Sequence, residues 1–393
     1  MTIKDICDIE TKCTGCSACA AACPTGAIRM TENREGFSVP TLSADICTQC
    51  GACAAVCPLT GKGGLQAAGE AYACQIKDKE SLSFATAGGF FPLLAKRILE
   101  AGGVVYGCVW DADMKPVHKG ITDPSLIASF SGSKYVQSDI SGILKELYAH
   151  LQDGREVLFS GTPCQVDAVL HYCAELDLSR LITVDVICYG VPSPGLFSAY
   201  IDGLNRKYGA RVVDFRFRDK KTYGWSHTTR ITFEREDGSR FEIEEPDYSH
   251  IDYYKMFATR DCYRASCYRC PYNTIERVSD FTTGNYWGIE NKSTAFDATL
   301  GVSMVLTNTE RAGRILEEMM PDMTVEKRTV EDAIQSNDAL VKGSTPPRKR
   351  DAIYACFAKK GFGPMFRKYY QPDLIKKCKA AIRRILRRGG AGR

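Results

Sequence analysis

Apolar and polar positions change period several times along the chain. Residues 90–100 carry a helical stripe and 104–109 an apolar strand, and Ile143, Leu144, Leu147 and Leu151 mark one helix face. A short apolar strand at 157–160 leads into a helix at 166–176, and a strand at 181–187 into a helix at 196–208. Segments 212–217, 228–234 and 240–244 alternate at period two, as half-buried strands do. Helices interleaved with strands predict an α/β domain with a mixed, partly parallel sheet and flanking helices. Ahead of it, residues 13–24 and 47–58 repeat one another, and Gly61, Gly63 and Gly64 punctuate a linker.

Composition narrows the class. The chain has 393 residues, 44% hydrophobic and 25% charged, which is globular and excludes wholesale disorder. The length suggests two or three domains. No stretch approaches the ~20 apolar residues of a membrane span. The first ten residues lack a signal-peptide pattern, so a cytoplasmic protein is expected. Net charge is +4, but residues 376–393 hold eight Lys and Arg and no acid, leaving the rest net acidic. A whole-protein basic field for nucleic acid is therefore not expected. In the tail, Leu374, Ile375, Cys378, Ile382, Ile385 and Leu386 recur at helical spacing opposite the cations. This predicts a basic amphipathic helix on an anionic membrane surface, peripheral at its inner face. The bland alternative packs the apolar stripe on the body.

The 19 cysteines change the picture most. In a long chain not expected to be exported, they point to metal or redox chemistry and away from a disulfide framework. The repeat reads Cys13-x2-Cys16-x2-Cys19-x3-Cys23-Pro24, then Cys47-x2-Cys50-x2-Cys53-x3-Cys57-Pro58. This is two-cluster bacterial ferredoxin spacing, in which the fourth cysteine of each run serves the other cluster. One [4Fe-4S] cluster is assigned to Cys13, Cys16, Cys19 and Cys57, the other to Cys47, Cys50, Cys53 and Cys23. Gly15 and Gly51 let backbone amides approach the sulfurs. Zinc knuckles would need neither the third cysteine of each run nor the proline.

A second constellation follows the predicted strands. Strand 157–160 runs into Gly161-Thr162-Pro163-Cys164-Gln165, and strand 181–187 into Cys188-Tyr189-Gly190-Val191-Pro192. Functional loops gather at carboxyl ends of strands in such sheets. With Cys267-x2-Cys270-Pro271, these cysteines have the number of thiols a third [4Fe-4S] cluster requires, Cys262 being a possible substitute. Buried structural thiols and a Cys164 nucleophile are the alternatives, although no His lies in the Cys164 motif. Gly88 and Gly89 precede a helix and could offer amides to a phosphate. Lys134 is a possible phosphate partner, and Gln137, Ser138 and Thr162 could hydrogen-bond a flavin ring. An ordinary turn and a solvated lysine are the bland readings. Arg218, Lys220 and Trp225 could frame an anionic or planar substrate. The five histidines have no ligand spacing.

Segments 131–138, 161–165, 188–194 and 266–270 resemble the coenzyme F420 hydrogenase/dehydrogenase beta-subunit family. So do Arg218-Asp219-Lys220 with Gly224-Trp225, and Ser279-Asp280-Phe281-Thr282-Thr283-Gly284-Asn285-Tyr286-Trp287-Gly288. The resemblance implies a flavin-containing α/β domain, with FAD passing electrons between clusters and a reducible substrate. It also implies that Cys164, Cys188, Cys267 and Cys270 are cluster ligands. One departure is Asn285, where the family usually carries Asp. The expected organisation is a small α+β ferredoxin-like domain at 1–64, a flavin and iron–sulfur oxidoreductase domain at 65–350 and a C-terminal segment at 351–393. The expected partner is a redox protein or a small-molecule acceptor. Two alternatives are an electron-transfer subunit with no substrate of its own and an auxiliary protein of surface-polysaccharide assembly.

Overall fold

The computed structural model describes residues 2–6, 8–60 and 64–371. Its strands are β1 (Ile28–Glu32), β2 (Ser38–Leu42), β3 (Glu70–Ile76), β4 (Val104–Trp110), β5 (Pro116–Ile121), β6 (Val157–Gly161) and β7 (Leu181–Val186). After these come β8 (Arg211–Arg216), β9 (Thr229–Glu234), β10 (Arg240–Glu245), β11 (Phe281–Asn285), β12 (Ser303–Thr307) and β13 (Met323–Arg328). The central sheet has the order β13-β3-β12-β11-β7-β6-β4-β5. Its middle, β11-β7-β6-β4, is parallel. The chain therefore leaves β6, β7 and β11 at one common edge, through Thr162, Ile187 and Tyr286.

Side-chain alternation distributes this sheet between two cores. Val104, Tyr106, Val157, Phe159 and Leu181 face one, with helices Leu144–Gln152 and Pro163–Tyr172. Val105, Leu158, Ile182 and Val184 face the other, with helix Phe90–Glu100. The helix expected at 166–176 starts earlier, because Pro163 occupies its first turn and Thr162 forms a capping box with Gln165. That start sets Cys164 at the strand edge. Strands β3 and β12 are buried on both faces, so no period-two signal marks them.

A further core, away from these two, is rich in aromatic rings. The antiparallel sheet β10-β9-β8 packs there with helices Pro194–Tyr208, Asp252–Ala258, Arg350–Lys360 and Phe362–Tyr370. The expected boundary at 350 falls on the first residue of one of these helices. Ile353, Tyr354, Met365 and Phe366 are buried in this core, so residues 351–371 pack with the body. The amphipathic pattern of 374–386 lies outside the described residues. Among the described residues no helix is long and apolar enough to cross a membrane.

The N-terminal module, with its antiparallel pair β1-β2, is fastened to the body by buried cations. Arg264 donates to the Cys13 carbonyl (3.1 Å), the Ser38 carbonyl (2.5 Å) and Gln137 Oε1 (2.9 Å). Gln137 in turn donates to the Thr14 carbonyl at 2.8 Å. Arg350 reaches Glu35 at 2.6 and 3.0 Å and the Tyr263 carbonyl at 2.9 Å. Gly15 leaves the room this needs: its φ is +69° and a Cβ would stand 2.3 Å from Arg264 Nη2. Replacing Arg264 by Met should loosen the module, at about 1–3 kcal/mol for each acceptor left without a donor. Hydrogen exchange should accelerate at 13–16 and 37–42 and stay unchanged in β6 and β7. Uniform exchange would show that the clamp holds nothing.

Within the main sheet, Arg277 bonds Asp185 on β7 at 2.7 and 3.2 Å, and both are almost fully buried. The same guanidinium donates to Thr282 Oγ1 and to the Tyr272 and Thr274 carbonyls, tying three segments together. Asp185→Ala leaves a buried charge unpaired and should cost about 3–5 kcal/mol. Combining Asp185→Leu with Arg277→Met should recover most of that in denaturant midpoints.

Candidate functional site

Each repeat folds into a short helix, Ala18–Ala21 and Ala52–Ala55, entered through a left-handed residue, Ser17 (φ 66°) and Gly51 (φ 80°). Cys13, Cys16, Cys19 and Cys57 border one small cavity. Cys23, Cys47, Cys50 and Cys53 border a second. Each set is thus the crossed one that the spacing requires. The Gly15 amide donates to Cys13 Sγ at 3.3 Å. Burial pushes the Cys16 thiol up to about 12 and also raises Cys19 and Cys57. Burial acts on Cys23 as well, but the amides of Ile28, Thr25 and Ala27 and the Thr25 hydroxyl hold it below its ordinary value. Among the described residues no His, Cys, Asp and Glu group is set to hold a single ion. The thiols border cavities, as a multi-iron cluster needs.

Cys164 lies in the first turn after β6 and Cys188 just after β7, while Cys267 and Cys270 come from the turn around Ala265–Arg269. Burial holds the Cys164 thiol well above its ordinary value, and the neighbouring Cys270, Cys188 and Cys267 add to the rise. Burial likewise raises Cys270 to about 11, with Cys267 beside it. These four thiols are therefore mutual neighbours and suit one cubane. Cys262 is placed elsewhere. It is fully buried in the aromatic core, its carbonyl accepting from the Tyr354 hydroxyl at 2.6 Å. As a substitute ligand it is corrected by that position.

A cavity of about 490 Å³ opens at the edge where β6, β7 and β11 end, with Cys164 and Cys188 in its wall. Gly89, Lys134, Gln137, Ser138 and Thr162 all line it. Gly88 does not: a Cβ there would stand 2.0 Å from the Cys74 carbonyl, so this glycine serves strand packing. Lys134 donates to the carbonyls of Ser129, Phe130 and Ser131 at 3.2–3.3 Å. Burial lowers its pKa. Its charge reaches the cavity, but its protons are already engaged. Gln137 commits its amide to the Arg264 clamp, Ser138 Oγ accepts from Gln165 Nε2 at 3.0 Å, and Thr162 Oγ1 lies 3.3 Å from Cys164 Sγ. Direct flavin hydrogen bonds from the Gln137 head are thus displaced by its structural role.

Arg218 lines the cavity, whereas Lys220 turns away and donates to the carbonyls of Leu82, Ala87 and Leu300. Burial, then Arg218, brings the Lys220 pKa down to about 7. Trp225 sits behind Trp287, the ring centroids 4.6 Å apart. Sequence reasoning passed over His118, His227, Arg264 and Arg277, since none belongs to a spaced motif. His118 stacks on Phe159 and shares a hydrogen bond with the Ser160 carbonyl at 2.9 Å. Burial brings its pKa down to about 4, so it is neutral at pH 7.

Comparisons with known proteins fit this division. Residues 12–60 match the family described as 4Fe-4S dicluster domain. Residues 154–333 match the family described as the C terminus of the coenzyme F420 hydrogenase/dehydrogenase beta subunit. No curated protein matches significantly. Among solved structures, the chain is similar to one of the F420-reducing [NiFe] hydrogenase complex from Methanosarcina barkeri, at 20% identity and a TM-score of 0.43. That match covers 77% of this chain and 91% of the other. The chain is thus similar to the coenzyme F420 hydrogenase/dehydrogenase beta-subunit family over residues 154–333, preceded by a match to a 4Fe-4S dicluster domain over 12–60.

Proposed function

We propose that the protein is an iron–sulfur flavoprotein oxidoreductase that moves electrons between [4Fe-4S] clusters and a substrate through FAD. The observation that carries this reading is the convergence of Cys164 and Cys188 on the wall of a ligand-sized cavity at the carboxyl edge of the sheet. FAD, when bound, supplies exchange between one-electron and two-electron chemistry. The chain's own residues would do the rest. Phe90, Phe91, Phe130 and Phe257 give the cavity apolar walls, and the amide end of helix Phe90–Glu100 with Lys134 suits a phosphate. Cys164, Cys188, Cys267 and Cys270 would hold a third cluster beside it.

The dicluster module supports the inward direction of the path. Cys16 and Val56 pack with Cys164 and Cys270 in one core, whereas Cys50 is exposed and Ile46 is 44% exposed. The Cys23, Cys47, Cys50 and Cys53 edge is therefore the side open to a redox partner, and the Cys13, Cys16, Cys19 and Cys57 edge faces the body. A partner docking there also accommodates the reading of an electron-transfer subunit. A peripheral place on an anionic membrane through the basic tail belongs to the same proposal.

Anaerobically purified full-length protein should hold about twelve irons per chain, four for each of three cubanes. Cys164→Ser should bring this to about eight, and Cys262→Ser should leave it at twelve. Equal iron in wild type and Cys164→Ser would remove the third cluster. Acid extraction and chromatography should also release about one FAD per chain. A folded, iron-loaded protein that yields no flavin and takes none up would end the flavin reading.

A further inference from the structure

Arg218 is a cavity cation with two buried donors that the fold leaves unmet. It lies just beyond β8, is 6% exposed and lines the large cavity. Its Nε and Nη2 are shut off from water without an acceptor among the described residues. The neighbouring carboxylate, Asp219, is taken by Arg230 at 2.9 Å. Among the described residues lining the cavity there is no Asp or Glu, and Asn285 presents an amide. The other groups near Arg218 bring no negative charge. Tyr254 contacts it through a hydroxyl, Lys220 is a second cation, and His227 is held neutral at pH 7 by burial and by Arg218. A buried guanidinium with unmet donors is unfavourable by itself, so a site that keeps one suits a ligand carrying the missing charge.

The setting is rigid and flat. The Arg218 guanidinium stands 5.0 Å from the Trp287 ring and 5.4 Å from Trp225. His227 stacks on Trp287 at 5.4 Å and 7°. The flanking backbone is fixed by the Asp219–Arg230 pair and by the three carbonyls that hold Lys220. Trp287 follows β11, whereas Lys134 lies beside Cys108 of β4. Sheet order puts three strand spacings between these strands, about 14 Å at ~4.8 Å each, with the Cys188 and Cys164 loops between. The cavity thus offers Lys134 and Arg218 on either side of the thiols, and its third cation, Arg260, lies over the Tyr189 ring at 4.7 Å. The Lys134 side suits the phosphates of the proposed flavin; Arg218 is free for a second anion.

We propose that Arg218, framed by Trp225 and Trp287, binds an oxyanion of the reducible substrate, a carboxylate or a phosphate, while the His227–Trp287 wall takes its planar part. The assignment to a substrate rests on the flavin reading above; the oxyanion site itself does not. Two of the three tryptophans report on it: Trp287 lines the cavity and Trp225 packs against Trp287 and Arg218, whereas Trp110 donates to the Phe215 carbonyl and stacks on Phe197.

The test is tryptophan fluorescence of the full-length, anaerobically purified protein titrated with benzoate, phenyl phosphate and the neutral benzamide, with FAD content measured in parallel. The two anions should quench saturably and benzamide should not. Arg218→Gln should weaken the anions at least tenfold with FAD content unchanged. Arg218→Lys keeps the charge without the fork and should weaken them only several-fold, which covers a glutamine variant that fails to fold. Anions bound no better than benzamide by wild type or by Arg218→Lys, or bound equally by Arg218→Gln, overturn the proposal. Loss of FAD in folded Arg218→Gln would assign the guanidinium to the flavin phosphates and overturn it too. A wild type without FAD whose anion binding still depends on Arg218 would instead sink the flavin reading and leave the oxyanion site standing.

Discussion

Arg264 is a buried cation with no carboxylate partner among the described residues, and the seating of the N-terminal module on the body depends on its three bonds. It reaches three oxygens on three segments: the Cys13 carbonyl in the first cysteine loop, the Ser38 carbonyl at the start of β2, and Gln137 in the cavity wall. Carbonyl dipoles carry its charge, and the Phe37 ring 4.8 Å away adds a cation–π contact. An ion pair would join two side chains. This guanidinium ties two backbone carbonyls of the module to a side chain of the body, so the thiol loop inherits the rigidity of the α/β body. Electron transfer between protein-held cofactors needs fixed distances more than it needs motion, and a clamp of this kind supplies them.

The same economy explains which parts of the molecule could be read from sequence. The crossed cysteine sets were legible because three thiols at three-residue steps and a fourth from the other run leave little geometric freedom. The parallel strands β6 and β7 were legible because each is a short apolar run followed by a loop with Pro and Gly. Strands β3 and β12 were not, since burial on both faces erases alternation. The start of helix Pro163–Tyr172 was missed by three residues although its capping box stands in the sequence, because apolar periodicity begins only inside the helix. Helix Arg350–Lys360 shows no one-sided apolar stripe, and its burial is decided by long-range contacts with the aromatic core and with Glu35.

Candidate polar residues divided along a different line. Lys134, Lys220 and Gln137 are the types expected to meet a ligand, yet each spends its head group on backbone carbonyls or on another side chain of the protein. Sequence position cannot tell these uses apart. What separates them is the tally of donors against acceptors once the chain is folded. Lys134 and Lys220 each have three protons and three carbonyls. Gln137 is met on both ends of its amide. Arg218 has donors left over.

That remainder bears on one departure from the pattern of the family the chain resembles. Asn285 stands at the end of β11 in a cavity wall without Asp or Glu among the described residues. An aspartate there would place a carboxylate in the cavity that Arg218 lines, supplying charge balance from within the protein. An amide leaves the balance to whatever enters. Such a carboxylate would also repel an anionic ligand entering the cavity. Without it, the desolvation of the guanidinium is already met in folding, and only the ligand's own must be overcome on binding. Asparagine at 285 therefore fits a cavity whose charge complement is brought by its ligand.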